Sequence, residues 1–401
     1  MFLACLIAIF IGIFAGIITG LIPGIHVNLI SIIILSLSTF LLKTTDPLTL
    51  SVFIISMAVT HTFLDSIPSI FLGAPDSDMA LSVLPGHKLL LQGKGYEAVK
   101  LTVIGSLLSL IAILLIIPLI IPITPFIYNL IQPYMGYILI FVVIYMIFHE
   151  KTNKKRIMAF YIFLLSGILG LLTLNIPNLN QPIFPLLSGL FGISTLILSL
   201  NNKIKIPKQI ISETIKTKNK IKAISAAVFS GSLTGLFPGL GSSQAAIMGM
   251  QLIKEASDYT FMILIGGVNT VNFVFSLVTL YTLQKSRNGA ITTVSSIIPS
   301  INLSQLSILL ITTLVVGSIS TFLALKIAKI FAKHITKINY RKLCISIIIL
   351  IALISFTFGQ MLSLLILIIS TLVGILPPLL NIKRSHAMGC LLLPTILFFL
   401  L

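Results

Sequence analysis

One short pattern occurs twice in this chain. GIITGLIPGIHVN runs from Gly16 to Asn28 and GSLTGLFPGLGSS from Gly231 to Ser243, with their Pro-Gly pairs 215 residues apart in a chain of 401. A unit of about half the chain has been used twice, and an internal repeat of that length constrains a fold more than any local propensity. Each copy breaks an apolar run with a residue that lacks a backbone donor, followed by one that tolerates almost any backbone angle. In lipid, backbone freed by such a break must be buried in protein or line a wet cavity.

The surroundings of the breaks are those of a membrane protein. Hydrophobic residues make up 57% of the chain and charged residues only 9%, so apolar segments of bilayer length account for most of it. The expected fold is an all-α polytopic membrane protein, multi-pass in the cell membrane, with the lipid bilayer as its solvent. The net charge of +17 comes from Lys and Arg clustered in short loops between spans. That pattern sets topology and does not call for nucleic acid. Cys5, Cys344 and Cys390 are far apart with no Cys-x-x-Cys or Cys/His spacing, so neither a disulfide framework nor a metal site is indicated. The apolar run from Met1 has no basic residue before it and reads as a span, not a signal peptide.

The chain divides into a first membrane repeat (1–200), a cytoplasmic basic linker (201–222) and a second repeat (223–401). Each repeat opens on a Pro-Gly-broken helix pair or re-entrant hairpin, 1–43 and 224–253, followed by a polar-bearing span: Pro47 to Gly73 with His61 and Asp65, and Tyr259 to Leu283 with Asn269 and Asn272. Further spans are expected over 99–121, 135–148, 158–172, 183–200, 304–326, 343–357, 362–380 and 386–401. Counting crossings back from the Lys203 to Lys222 run, taken as cytoplasmic, places Met1 outside while the second half starts inside. The halves are then inverted structural repeats, an arrangement of many secondary transporters whose site lies where the repeats meet.

A helix arm that starts just after Pro-Gly offers free N–H groups and the positive end of its dipole to an anion. The substrate-binding candidates are Thr19, Gly20, Pro23, Gly24, His26 and Asn28 in the first copy. In the second they are Thr234, Gly235, Pro238, Gly239, Gly241, Ser242, Ser243 and Gln244. The alternative is a purely structural kink, and His26 is either a ligand contact or proton carrier, or a neutral imidazole bonded to a freed carbonyl. His61 and Asp65, four residues apart on one helix face, are candidates for coupling or gating together with Asn269 and Asn272, with Na⁺ or H⁺ as the coupling ion and no other cofactor. Asp76, Asp78 and His87 belong to a polar segment that either gates or is a solvated connection. Lys88 or Arg384 could attract an anion, and the other basic residues mark topology. No nucleophile with a base, and no pair of facing carboxylates, suggests an enzyme; an intramembrane hydrolase is a remote alternative.

PGLGSSQAAIMG, its partner PGIHVN, the segment FLGAPDSDMALSVLPGHKLLLQGKGYEAV and the block PLLSGLFGISTLI together resemble the large membrane permease subunit of the tripartite tricarboxylate transporters, over nearly the whole chain. The resemblance implies a cation-coupled secondary transporter of organic acids such as citrate, an anionic small-molecule substrate. It also implies a small membrane subunit and an extracytoplasmic binding protein as partners. Residue by residue it implies substrate contacts at Pro23, Gly24, Asn28, Pro238, Gly239, Gly241, Ser242 and Ser243. Ile25-His26 stands where the family has a small residue. A fainter similarity, to carriers of polyprenyl phosphate that also use paired Pro-Gly tips, keeps a lipid-phosphate translocase as the alternative.

Overall fold

The computed structural model describes the chain except residues 1, 23–26, 74–78, 80–82, 178, 180, 202–205, 213–214, 216, 237–240, 254–256, 287 and 336–339. The described residues form helices and no strands. In order these are α1 (Phe2–Leu21), α2 (Val27–Leu41), α3 (Pro47–Leu64), α4 (Ser66–Phe71), α5 (Val83–Leu91), α6 (Gly95–Ile120), α7 (Thr124–Ile131), α8 (Met135–Phe148) and α9 (Asn153–Leu174). Then come α10 (Ile183–Leu187), a π-helical turn (Ser188–Ile193), α11 (Ser194–Asn201), α12 (Lys220–Leu236), α13 (Ser242–Gln251), α14 (Asp258–Leu283), α15 (Gly289–Ile297), α16 (Leu303–His334), α17 (Tyr340–Leu379) and α18 (Gly389–Leu400). Eight helical stretches among the described residues are long and apolar enough to cross a membrane. The protein is a multi-pass membrane protein.

Helix starts follow ordinary capping chemistry. Asp46 accepts from the Thr49 amide (3.0 Å) and hydroxyl (2.6 Å) at the head of α3, with Pro47 at its first position. Such a cap contributes about 1 kcal/mol, and the Thr49 bond holds the Asp46 carboxyl below its usual pKa. Asn302 and Gln305 exchange bonds in a capping box on α16. The α3–α4 break has an equally local cause. Pro68 has no N–H to give the Leu64 carbonyl four residues back, so the ladder parts at Asp65, which closes α3 through its own amide to the His61 carbonyl (2.9 Å).

α17 is a hairpin and not one 40-residue rod. Its backbone leaves helical geometry at Gly359 and Gln360. Cys344 packs in one cluster with Leu196, Gly359 lies against Leu179, Gly374 against the Leu190 carbonyl, and Arg384 reaches Ser194 and Thr195. The chain therefore climbs from the level of residue 196 to that of 179 and returns, two antiparallel passes joined at Gly359-Gln360, as the two separate spans of the sequence reading require.

The packing repeats where the sequence does. α1 lies along α3, with Gly16 so close that a Cβ would stand 2.5 Å from the Thr60 Cβ and 2.6 Å from the Met57 carbonyl. α12 lies along α14, and a Cβ on Gly231 would stand 2.8 Å from the Val271 Cβ and 3.0 Å from the Val268 carbonyl. Small residues let membrane helices approach closely enough for dispersion to hold them. The two halves also interlock: α6 of the first packs on α14 of the second through Gly105 and Gly266, and α16 of the second packs on α3 of the first. The Ser320 hydroxyl donates to Thr60 Oγ1 (3.1 Å) across that second contact.

Part of the basic stretch between the halves is docked into the fold. Ile210 donates to the Gly93 carbonyl (2.7 Å), and the buried Gln209 side chain accepts from Gly95 (2.8 Å) while donating to Leu90 (3.1 Å) and Pro207 (2.7 Å). Glu97 then receives both the Ser212 hydroxyl and the Tyr259 hydroxyl at 2.5 Å. Residues 206–212 thus tie the start of α6 to the start of α14.

Candidate functional site

The polar residues singled out on α3 and α14 meet. Asn269 Nδ2 donates to Asp65 Oδ2 at 2.8 Å, Ser242 Oγ donates to Asn269 Oδ1 at 3.5 Å, and Asn272 Nδ2 donates to Ser242 Oγ at 3.2 Å. Asp65 is 3% exposed, Asn269 5% and Ser242 0%, with His61 buried beside them. The position of each follows from a local cause. Asp65 sits where Pro68 interrupts the helix, Asn269 and Asn272 share one face in the middle of α14, and Ser242 opens α13 directly after the second Pro-Gly stretch. The chain of bonds joins groups from both halves, 204 positions apart in sequence at its closest link.

A small cavity of about 40 Å³ adjoins this chain, lined by His61, Asp65, Asn269 and Asn272 together with Val27 of α2 and Asn288 at the head of α15. The volume suits a water or a small bare ion better than an organic acid. Its oxygens are a carboxylate and side-chain amides, the ligand class of hard cations. Among the described residues no group of three His, Cys, Asp or Glu side chains could hold a metal ion.

Thr19 and Thr234 are buried and donate their hydroxyls to the Gly16 carbonyl (3.2 Å) and the Gly231 carbonyl (2.7 Å) of their own helices. Gly20 faces Leu64 and His61, and Gly235 faces Phe275, so both stand at helix contacts. Ser243 is buried in the first turn of α13 and Gly241 precedes it. Pro23, Gly24, His26, Pro238 and Gly239 lie outside the described residues, as do the side chains of Asn28 and Gln244, and Asp76 and Asp78. His87, read as part of a gate or a solvated connection, is buried in α5 with Nδ1 3.4 Å from the Ile70 carbonyl, and burial lowers its pKa.

A second, larger cavity of about 580 Å³ lies at the end of the molecule that carries Lys88, His149, Lys383 and Arg384. α5 and α13 form parts of its wall, and Lys88 bridges to Asp258 at 2.7 Å on its rim. Sequence reasoning did not find two buried partners nearby: Glu150 accepts from the Lys383 amide (3.2 Å) and meets His386 Nε2 at 3.0 Å.

The family model of the Tripartite tricarboxylate transporter TctA family matches residues 6–389. The chain belongs to that family. An uncharacterized protein of Methanocaldococcus jannaschii is 30% identical over 357 residues, which cover 87% of this chain and 88% of that one. No solved structure matches the chain. As a TctA family member the protein is a membrane component of a tripartite transporter, and the matched residues take in nearly all of the helical assembly described above.

Proposed function

We propose that the protein is a secondary active permease for a small organic anion of the di- or tricarboxylate class, coupled to Na⁺ or H⁺. The observation that carries this reading is the buried chain Asp65–Asn269–Ser242–Asn272, because it ties a carboxylate on one half to the first turn of the arm that follows the Pro-Gly stretch of the other. The N–H groups opening α13 suit a carboxylate, and Ser242 and Ser243 add short donors there. A carboxylate as buried as Asp65 is costly while charged and uncompensated. A proton or Na⁺ arriving beside it would lower that cost, and its arrival would be felt through Asn269 at Ser242, next to the anion.

The working cycle on this reading is an exchange between two equivalent interfaces. α2 and α13 each follow a Pro-Gly stretch, and α15 and α5 are the nine-residue helices that follow the polar-bearing spans. If the halves are inverted copies, the α2–α15 contact and the α5–α13 gap are one interface in two states, the first closed and the second open towards the cytoplasm. In the cell membrane a small membrane subunit and an extracytoplasmic binding protein would complete the system, the latter delivering the anion to the face that is closed in this structure.

Uptake of labelled citrate and succinate into proteoliposomes, with imposed Na⁺ or pH gradients, tests the proposal. Accumulation that depends on one of the gradients is the expected result. Gradient-independent leakage, or no uptake of any carboxylate in the presence of both gradients, would sink it.

A further inference from the structure

The larger cavity contains a cation that the transport reading leaves unused. Arg384 is 8% exposed, so it is not a headgroup-level topology marker. Its recorded bonds all leave from Nη1, to Thr195 Oγ1 and, at 3.5 Å, to Ser194 Oγ. Those two hydroxyls donate their own protons to the Phe191 carbonyl (2.6 Å) and the Leu190 carbonyl (2.7 Å), so they face the guanidinium as acceptors and orient it. No carboxylate among the described residues pairs with Arg384. A guanidinium has five N–H donors in a planar fork, and here those on Nε and Nη2 have no partner among the described residues in a side chain that lines the cavity.

The cradle has a clear origin in the sequence. Ser194 and Thr195 follow directly on the π-helical turn Ser188–Ile193, whose extra residue per turn rotates what comes after it. Gly189 and Gly374 let this turn sit against the second pass of α17, which leads straight to Lys383 and Arg384. The Ser-Gly-Leu-Phe-Gly-Ile-Ser-Thr block thus serves to hold one arginine at the cavity wall. Around it, Asp258 is paired with Lys88, and Glu150 accepts from His386 and the Lys383 amide, which leaves Arg384 as the wall cation with no carboxylate beside it, while the exposed Lys383 also lies in the field of Glu150. The rest of the wall is largely apolar, with Met146, Ile247, Met250 and Phe261.

We propose that this cavity is a second anion-binding site, separate from the central polar chain, in which the free edge of Arg384 receives two oxygens of a carboxylate or phosphate while Lys383 compensates the remaining charge. An apolar wall with one planar, two-pronged donor fits a small oxyanion carrying some hydrocarbon, whether a free organic acid or the headgroup of an acidic lipid. α13 gives Ser242 to the central chain and Met250 to this wall, about 12 Å apart along its axis. The two sites share that helix without sharing a ligand group. The proposal does not depend on the transport reading.

The chain contains no tryptophan, so one introduced at the cavity reports on it alone. Phe261→Trp, in the full chain reconstituted into phosphatidylcholine nanodiscs, is titrated with citrate, succinate and inorganic phosphate while indole emission is recorded. A saturable change with at least one of them is expected, weakened about tenfold or more by Arg384→Gln, since a charge-assisted pair lost from a buried site is worth at least that. Lys383→Gln, an exposed change, should weaken it several-fold and serves if Arg384→Gln does not fold. Asp65→Asn should leave the titration in place even where it stops uptake, which separates this site from the central one. A second arm replaces part of the phosphatidylcholine by phosphatidylglycerol. An emission change there that disappears in Arg384→Gln supports the site with lipid as its source. Titrations unchanged by both Arg384→Gln and Lys383→Gln, or no response to any of the anions and to the acidic lipid, overturn the proposal.

Discussion

Two short helices that follow the same duplicated stretch have opposite surroundings. α2 leaves α1 and lies along α15, where the buried Thr293 hydroxyl donates to the Ser31 carbonyl (3.2 Å). α13 instead folds back along α12, with Gly249 against Ser230, and is held off α5 by the larger cavity. At 10 residues α13 is about 15 Å long and α2, at 15 residues, about 22 Å, so the first arm reaches a partner that the second does not. The helices that carry these arms do not differ in this way, since Gly16 and Gly231 make matching contacts. The scaffold contacts of the two stretches are therefore alike, whereas the arms that follow them are not.

The largest expected effect comes from fastening the closed pair. Ser31→Cys with Thr293→Cys, in a background lacking Cys5, Cys344 and Cys390, should lose uptake on oxidation and regain it with reductant. Lys88→Cys with Met250→Cys, across the open cavity, should be joined by a thiol reagent of cavity length but not by a direct disulfide, which needs Cα atoms within about 7 Å. Rapid direct oxidation of that second pair would remove the asymmetry on which the comparison rests.

Next in size, Asp65→Asn should reduce gradient-driven uptake at least about tenfold, equivalent to about 1.4 kcal/mol. Substrate counterflow should be less affected, because the carboxylate is assigned to coupling and the anion to the arms. Equal concentrative uptake by the variant at every Na⁺ concentration and pH would make Asp65 a structural residue. On the scaffold itself, Gly16→Val and Gly231→Val should each cost about 1–3 kcal/mol by overpacking, the first somewhat more because its contacts are tighter. Thermal unfolding in detergent measures both, and a large difference between them would show that the duplicated contacts are not equivalent.

The smallest effect is a one-sided response to pH. Burial lowers the pKa of His87 on α5, whereas α15 carries no histidine. As pH falls the unfolded chain takes up that proton first. Stability is then constant above the ordinary histidine value of about 6.5 and declines below it, by at most about 1.4 kcal/mol per pH unit, until the folded value is passed. The unfolding midpoint of His87→Gln between pH 7.5 and 5 should show less of this slope than the parent.

What could be read from the sequence follows from which forces act locally. Spans, the polar faces of α3 and α14, and the separation of 343–357 from 362–380 come from hydrophobic runs and from Gly, and they needed no tertiary information. The meeting of Asp65 with Asn269 was less accessible. His61 and Asp65 suggest themselves as a pair by their spacing, but the bond to Asn269 joins residues 204 positions apart and arises only from the tertiary contact of α3 with α14. Docking of residues 206–212 was invisible for a similar reason: Gln209 looks like one more polar residue in a basic stretch until the three bonds of its side-chain amide are seen. Arg384 suggests itself as a cation that could attract an anion, yet its hydroxyl partner Ser194, which directly follows the π-helical turn, lies 190 positions earlier.

The interlocking of the halves also sets a timetable for the chain as it leaves the ribosome. The face of α6 that carries Gly105 has as its native partner Ile263 and Gly266, which are synthesised roughly 10–30 s later at ordinary elongation rates. During that interval lipid or an insertase must occupy the groove. The first half emerges as a set of inserted helices with an unfinished seam, and assembly is completed only when α14 threads into place beside α6 and α16 closes on α3.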